Sequence, residues 1–340
     1  MKKVIVTGGS GFIGSNLVEF LIKKNFFVIN IDKNTYTKNS NFFKNATKKN
    51  YIFHKFDINN SNSFFKVLKK YQPKAIFNLA AETHVDRSID GPLNFVKSNI
   101  LGVFSLLENV RKYKKQTKKN IKIIHVSTDE VYGDIKKNKR SDENSAYIPS
   151  SPYSATKASS DHLIKSYIRT YKIKAVISNC CNNYGPGQFP EKLIPTLIFN
   201  LIKNKPLPIY GKGINSREWI HVKDHCEALF QIYKKGKIGH SYNVGSGINL
   251  SNINLAKKLI TLAKNKNINK KARISFVKDR PGHDLRYALD CKKIRIQLGW
   301  KAKINLYDGL SKTFDWYINN RNFLNSFSKK LFYKRLGLKI

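Results

Sequence analysis

Lys2-Lys3-Val4-Ile5-Val6-Thr7 runs straight into Gly8-Gly9-Ser10-Gly11-Phe12-Ile13-Gly14 at the start of this 340-residue chain. The apolar run stopped by glycines reads as a short buried strand. Asn16 to Lys24 then sets Leu17, Phe20 and Leu21 on one helical face. Glycines at 8, 11 and 14 permit a tight turn, close approach of a phosphate to the backbone, and close packing of helix on strand. The free N–H groups at the helix start attract an anion. A glycine loop alone is weak evidence, but a strand before it and a helix after it supply the confirming context. Gly8, Gly11, Phe12, Ile13 and Gly14 are therefore the expected phosphate-binding turn for a dinucleotide.

The stretches that follow repeat the alternation of strand and helix. A second strand, Phe27 to Ile31, ends in Asp32. An acid there accepts from both adenosine ribose hydroxyls and repels a 2′-phosphate, favouring NAD over NADP, although the adjacent Lys33 could offset that repulsion. Tyr51 to Phe56 forms a third strand ending at Asp57-Ile58, an expected adenine-edge contact. Ala75 to Leu79 is a fourth, opening into Ala80-Ala81-Glu82-Thr83-His84-Val85-Asp86, whose small residues let a cofactor pass close to the backbone. A helix over about 94–113 leads to the strand Ile121 to Val126. The helix Tyr153 to Tyr171 and the strand Ala175 to Ser178 continue the series. The pattern predicts an α/β fold, a doubly wound parallel sheet with its ligand at the carboxyl ends of the strands.

Beyond Gly185 the composition changes, with prolines punctuating residues 186–208 around one apolar helix. Residues 1–184 are expected to form the Rossmann-like cofactor domain and 185–325 mainly a smaller C-terminal lobe, with some later segments returning to the sheet. Residues 326–340 form a basic tail. Apolar content of 41% supports an ordinary folded core, and no apolar run approaches the roughly 18 residues of a membrane span. Cys180, Cys181, Cys226 and Cys291 fit no metal-binding spacing, and an adjacent pair is a poor start for a disulfide framework. A reducing cytoplasm is the expected setting.

Lysine and arginine outnumber the acids by 63 to 22, a formal charge of +41. Such a field attracts polyanions, so nucleic-acid binding is a class to weigh. The basic residues are scattered over nearly every segment, and no helix-turn-helix pattern, zinc spacing or RNA-binding aromatic motif accompanies them, which argues against it. An anionic, diphosphate-bearing substrate suits the charge equally well.

Chemistry concentrates in Ser127-Thr128-Asp129-Glu130 and in Tyr153 and Lys157. The last two stand four apart on a helix and share a face. A tyrosine is a poor base near neutrality, but a nearby ammonium and a positive nicotinamide ring would lower its pKa. It could then take a proton from a sugar hydroxyl while hydride leaves the same carbon. Consecutive residues of a regular strand point to opposite faces. For both acids to serve one substrate, the chain must leave extended geometry at about Thr128.

Seven stretches carry a resemblance: Ala80-Ala81-Glu82, His84-Val85-Asp86-Arg87-Ser88, Thr128-Asp129-Glu130-Val131-Tyr132-Gly133, Ser150-Ser151-Pro152-Tyr153-Ser154-Ala155, Asn182-Asn183-Tyr184-Gly185-Pro186, Phe189-Pro190-Glu191-Lys192-Leu193-Ile194-Pro195 and Asp279-Arg280-Pro281-Gly282-His283. Together they resemble the extended short-chain dehydrogenase/reductases, and within them the nucleotide-sugar dehydratases. The Asp129-Glu130 pair discriminates, since related epimerases carry small or hydroxyl residues there and decarboxylases typically Ser-Glu. The resemblance implies NAD as cofactor and a nucleotide-activated glucose, dTDP-glucose, as substrate. It implies oxidation at C4, removal of the C5 proton by Glu130, protonation of the leaving C6 hydroxyl by Asp129, and hydride return to C6. Thr128 would bond the C4 oxygen.

By the same resemblance Leu79, Ala80, Ala81, Ser98, Ser127, Tyr153, Lys157 and Asn183 would line the cofactor site. Thr83, Thr128, Asn182, Lys192, Leu193, Pro208, Tyr210, Arg217, Asn252, Arg280 and His283 would line the substrate site, with Arg217 and Arg280 on the diphosphate. A homodimer is implied, packed through the helix ending near Tyr113 and the one starting at Tyr153. Gly187, Cys181, Glu218 and His221 depart from the family pattern, at positions expected to lie away from the chemistry. The alternatives are an epimerase or decarboxylase of a UDP-sugar on the same fold, or a basic nucleic-acid-binding protein.

Overall fold

The computed structural model describes residues 1–35, 43 and 45–325, so the basic stretch 326–340 lies outside the described residues. The chain opens with β1 (Lys2–Thr7), α1 (Phe12–Lys23), β2 (Phe26–Asp32), β3 (Tyr51–Lys55), α2 (Ser61–Tyr71) and β4 (Ala75–Asn78). Next come α3 (Val85–Asp90), α4 (Leu93–Phe95), a π-helical turn over Val96–Leu101, and α5 (Gly102–Thr117). Then follow β5 (Lys122–Thr128), a 3-10 turn over Asp129–Tyr132, α6 (Pro152–Tyr171), β6 (Ala175–Cys180) and β7 (Asn182–Tyr184). The remainder is α7 (Leu193–Ile202), β8 (Leu207–Tyr210), β9 (Ser216–His221), α8 (Val222–Lys235), β10 (Ser241–Val244), β11 (Asn249–Ser251), α9 (Asn252–Asn265), β12 (Ile274–Val277), α10 (Lys292–Leu298), α11 (Leu306–Asn319) and α12 (Arg321–Asn325).

Strands β3, β2, β1, β4, β5, β6 and β10 pair in that spatial order, all parallel. Both faces of the sheet are covered, which is why its strands read as apolar runs rather than as alternation. Alternate residues still serve different layers. Val4 and Val6 pack with α1 and α8 on one side, whereas Ile5 packs with α2 and α5 on the other. Chain order reverses between β1 and β4, the switch point at which open α/β sheets hold ligands.

Helix α1 begins at Phe12, four residues before the helix read from the sequence, because Gly11 takes the extended N-cap conformation (φ −74°, ψ −179°). The single helix expected over 94–113 is instead interrupted by the π turn. That turn carries Asn99, which bonds both backbone groups of Glu82 and the hydroxyl of Thr156. Such a bulge re-aims side chains at functional sites.

A third core of Tyr184, Ile194, Leu197, Trp219, Leu255, Leu310 and their neighbours builds a lobe around α7, α9 and α11. Two small sheets, β11-β9-β7 and β12-β8, frame it. Segments return from this region to the large sheet: β10 extends its edge, and α8 buries Val222, Cys226, Leu229 and Ile232 in the same core as Val4 and Leu17. Lys122 secures α8 by donating to the carbonyls of Ile232, Tyr233 and Gly236 at its C-terminus.

Candidate active site

The carboxyl ends of the parallel strands open into a cavity of about 860 Å³ that continues into the lobe. At its β1 end, Gly8 has φ +68°, and a Cβ there would come within 2.8 Å of Ala80 N. A Cβ on Gly14 would collide with the Gly8 carbonyl. The backbone cradle at the start of α1 therefore requires glycine at both positions, and it fits a diphosphate held on helix N–H groups. Asp32 sits at the tip of β2, accepting from Ser10 N at 3.0 Å and Asn34 N at 2.7 Å. Lys33 is not free to welcome a further phosphate. Its Nζ donates to Ser98 Oγ (3.0 Å) and lies 3.1 Å from Glu82 and 3.7 Å from Asp57. Phe12, Ile13, Asp57, Ile58, Leu79, Ala80, Ala81, Ser98, Ser127 and Asn183 complete this part of the wall, with Gly11.

At the centre, β5 stays extended through Thr128 (φ −141°, ψ 155°) and the next four residues coil into the 3-10 turn. The Thr128 hydroxyl accepts from Glu130 N (3.3 Å) and donates to Asp129 Oδ1 (3.2 Å). The bend expected at this residue is present, and Asp129 and Glu130 both line the cavity with Tyr153 and Lys157. Burial pushes the Asp129 pKa well up, aided by the charges of Glu130 and Glu218. Burial also raises Glu130, but Arg280, Arg217 and Lys192 oppose it and favour the carboxylate.

Tyr153 lines the cavity with these acids. In the chain alone its pKa is pushed up, by burial first and by the Glu130 charge second. The Lys157 ammonium, one turn along the same helix face, donates to Val126 O (2.7 Å) and stands 3.4 Å from His125 Nε2. Burial lowers the pKa of Lys157 itself.

Towards the lobe, Thr83, Asn182, Lys192, Leu193, Pro208, Tyr210, Arg217, Asn252, Arg280 and His283 line the same cavity. Lys192 Nζ donates to the Thr83 carbonyl at 2.6 Å. Arg280 Nη1 and Tyr210 OH converge on the two oxygens of Asp86, at 2.7 and 2.8 Å. Arg217 is 5% exposed, stacks on Tyr287, and donates to the carbonyls of Ser216 and Asp284. His283 Nδ1 lies 2.6 Å from Asp279 Oδ1. Asp129 Oδ2, Asn182 Oδ1, Gln188 Oε1, Trp219 Nε1, Asn252 Oδ1 and Arg280 Nε are buried without a hydrogen-bond partner. Folded chains rarely leave such groups unsatisfied, and their gathering around one cavity fits a polar ligand.

Sequence reasoning passed over several residues of this wall, among them Glu82, Asp86, Gln188 and Trp219. Asp86 and Glu82 lay inside stretches already singled out, but their partners are distant in sequence. Of the departures from the family pattern, Cys181 lines the cavity. On β9 the alternation of a strand turns Arg217 and Trp219 inward and Glu218 to the other face. There Glu218 is wholly buried, bonded to Arg140 (3.1 Å) and to the amides of Gly247 and Leu289. Its charge still reaches Asp129. His221 caps α8 through Lys223 N and packs edge-on against Tyr184.

A seven-stranded parallel sheet, a glycine turn at the switch point and a buried Tyr-Lys pair define an extended short-chain dehydrogenase/reductase. Comparison with known proteins narrows this. The family model described as GDP-mannose 4,6 dehydratase matches residues 5–313. A probable dTDP-glucose 4,6-dehydratase of Sinorhizobium fredii is 45% identical, over 99% of each chain. The dTDP-glucose 4,6-dehydratase of Salmonella typhimurium is 44% identical, over 95% of each. The Bacillus anthracis dTDP-glucose 4,6-dehydratase, solved in complex with NAD, superposes with a TM-score of 0.87 at 38% identity, covering 96% of this chain and 100% of that one. This chain belongs to the nucleotide-sugar 4,6-dehydratase family.

Proposed function

We propose that the chain converts dTDP-glucose to its 4-keto-6-deoxy product by eliminating water, with NAD as a cofactor that ends each cycle oxidised. Gly8, Gly11, Gly14, Asp32 and Lys157 would hold NAD, which when bound would supply the hydride chemistry at C4 and C6. Tyr153 takes the proton of the C4 hydroxyl, and Thr128 bonds the same oxygen. The resulting ketone acidifies C5–H, which Glu130 removes. Asp129 gives its proton to the departing C6 hydroxyl, which leaves as water, and Glu130 returns its proton to C5 as hydride adds at C6. One observation carries this reading. Two consecutive carboxyl groups face one cavity and burial raises both, but Asp129 stands beside two further acids, Glu130 and Glu218, whereas Arg280, Arg217 and Lys192 oppose the rise at Glu130. Separated proton affinities of this kind assign an acid and a base.

Residues 1–184 carry the cofactor and 185–325 mainly the sugar nucleotide in this reading, with Arg217 and Arg280 gripping the diphosphate. A homodimer is part of it: Leu93 (61% exposed), Val96, Leu101 and Phe104 (46%) leave an apolar face open along α4, the π turn and α5. The four unpaired cysteines suit a reducing, cytoplasmic setting, and no described helix is long and apolar enough to cross a membrane.

Incubation with a panel of nucleotide hexoses followed by mass spectrometry tests the function. Loss of one water from dTDP-glucose without net reduction of NAD is expected. Release of carbon dioxide, or an isomer of unchanged mass, would instead make the chain a decarboxylase or an epimerase of a UDP-sugar.

A further inference from the structure

Helix α6 carries Tyr153, Lys157 and Asp161 at four-residue intervals, a ladder along one face. The first two line the cavity. Asp161 is fully buried, does not line it, and takes no part in the steps above. Its Oδ2 accepts from Ser127 Oγ at 2.7 Å, Tyr147 OH at 3.1 Å and Asn179 Nδ2 at 3.5 Å. Its Oδ1 lies 3.4 Å from His125 Nε2 yet receives no well-aligned hydrogen bond.

A directed chain of donors sets the state of that histidine. Ala80 N–H, on the cofactor wall, donates to Thr7 Oγ1 (3.3 Å), and Thr7 donates to Asn78 Oδ1 (2.6 Å). Asn78 is thereby oriented with its amide nitrogen 2.9 Å from His125 Nδ1. Nδ1 accepts, so the single proton of a neutral ring sits on Nε2, towards Asp161. Burial, with Lys157 alongside, brings the His125 pKa down to about 4, so the ring is uncharged near neutrality.

The groups facing the Lys157 ammonium are then few. Tyr153 and Asp161 stand on its own helix, His125 on β5 and Cys180 on β6. Burial pushes the Cys180 thiol up to about 12, and Tyr132 and Tyr147, beside Asp161, are pushed upward too. Asp161 is the one of these groups that carries negative charge near pH 7: burial alone would raise its pKa, but His125, Lys157 and Ser127 bring it below the usual aspartate value.

We propose that Asp161 is a positioning residue for the proton transfer at C4: its carboxylate, oriented by Ser127, Tyr147 and Asn179 and standing beside a neutral His125, keeps Lys157 charged beside Tyr153. The inference rests on the reading that Tyr153 and Lys157 perform that transfer. Without the carboxylate, Lys157 loses its proton at lower pH. Tyr153, lacking a charged neighbour, ionises at higher pH. The active pH window therefore closes from both sides.

The test is the pH dependence of kcat for product formation by Asp161→Asn at saturating NAD. The acidic limb should move up and the alkaline limb down, each by about one unit, with Asp161→Glu restoring most of the width. Asp161→Ser, which is smaller, neutral and still able to hydrogen-bond, serves if the asparagine variant does not fold. Limbs that coincide with the unmodified protein in a folded variant overturn the proposal. Tyr153→Phe separates the two levels. An active Tyr153→Phe defeats the assignment of the base, whereas an inactive one beside an unshifted Asp161→Asn profile defeats only the role of Asp161.

Discussion

Asp129 and Glu130 are adjacent in the chain, yet both side chains line one cavity together with Tyr153. Thr128 is the last extended residue, and the 3-10 turn that it caps carries the second acid round to the side of the first. The Thr128 hydroxyl caps the turn that brings the two carboxyl groups together.

Glu130→Gln keeps the size of the side chain and removes the base. Elimination should fall by about 10²-fold or more, while oxidation at C4 survives and reduced nicotinamide absorbance still develops. Mass spectrometry for water loss, alongside that absorbance, checks both halves. A fully active variant would refute Glu130 as the base.

Asp129→Asn should lose dehydration by a similar factor and gain stability. The folded pKa lies above the ordinary 3.8, so the stability linked to this group is complete below the unfolded pKa. It is lost as pH rises through the folded pKa. An amide escapes that loss, so the Tm difference in favour of the variant should grow from acid towards neutral pH. Thermal melts across that range measure it. A variant less stable than the parent at neutral pH contradicts this account.

Asp86 joins α3 to the lobe by holding Arg280 and Tyr210. Asp86→Asn leaves the buried guanidinium without its counter-charge. KM for the nucleotide sugar should rise about tenfold, by the value of a charge-assisted bond, with a smaller fall in kcat. Tyr210→Phe should do the same more weakly. Steady-state kinetics with an unchanged KM would remove Asp86 from the binding account.

Phe104→Glu places a charge in the exposed apolar face of α5. If that face joins two copies, the variant should sediment as a monomer at concentrations where the parent is a dimer. Analytical ultracentrifugation of both decides it, and equal masses would exclude this face.

The glycine turn, the order of strands and helices and about half of the cavity wall could be read from the sequence. Local periodicity and residue identity are local properties, and Val4-Ile5-Val6 beside Gly8, or Tyr153 four before Lys157, display them without a fold. What the sequence left open was where charge resides. Lys33 is neutralised by Asp57 and Glu82, and Glu218 is turned away from the site yet still felt at Asp129. Lys157 donates to the Val126 carbonyl and feels the buried charge of Asp161. Each depends on groups brought close by the packed sheet and on the burial that keeps water from screening them. Proton affinity is set by that environment, and the environment exists only once β1, β4, β5 and α6 have come together.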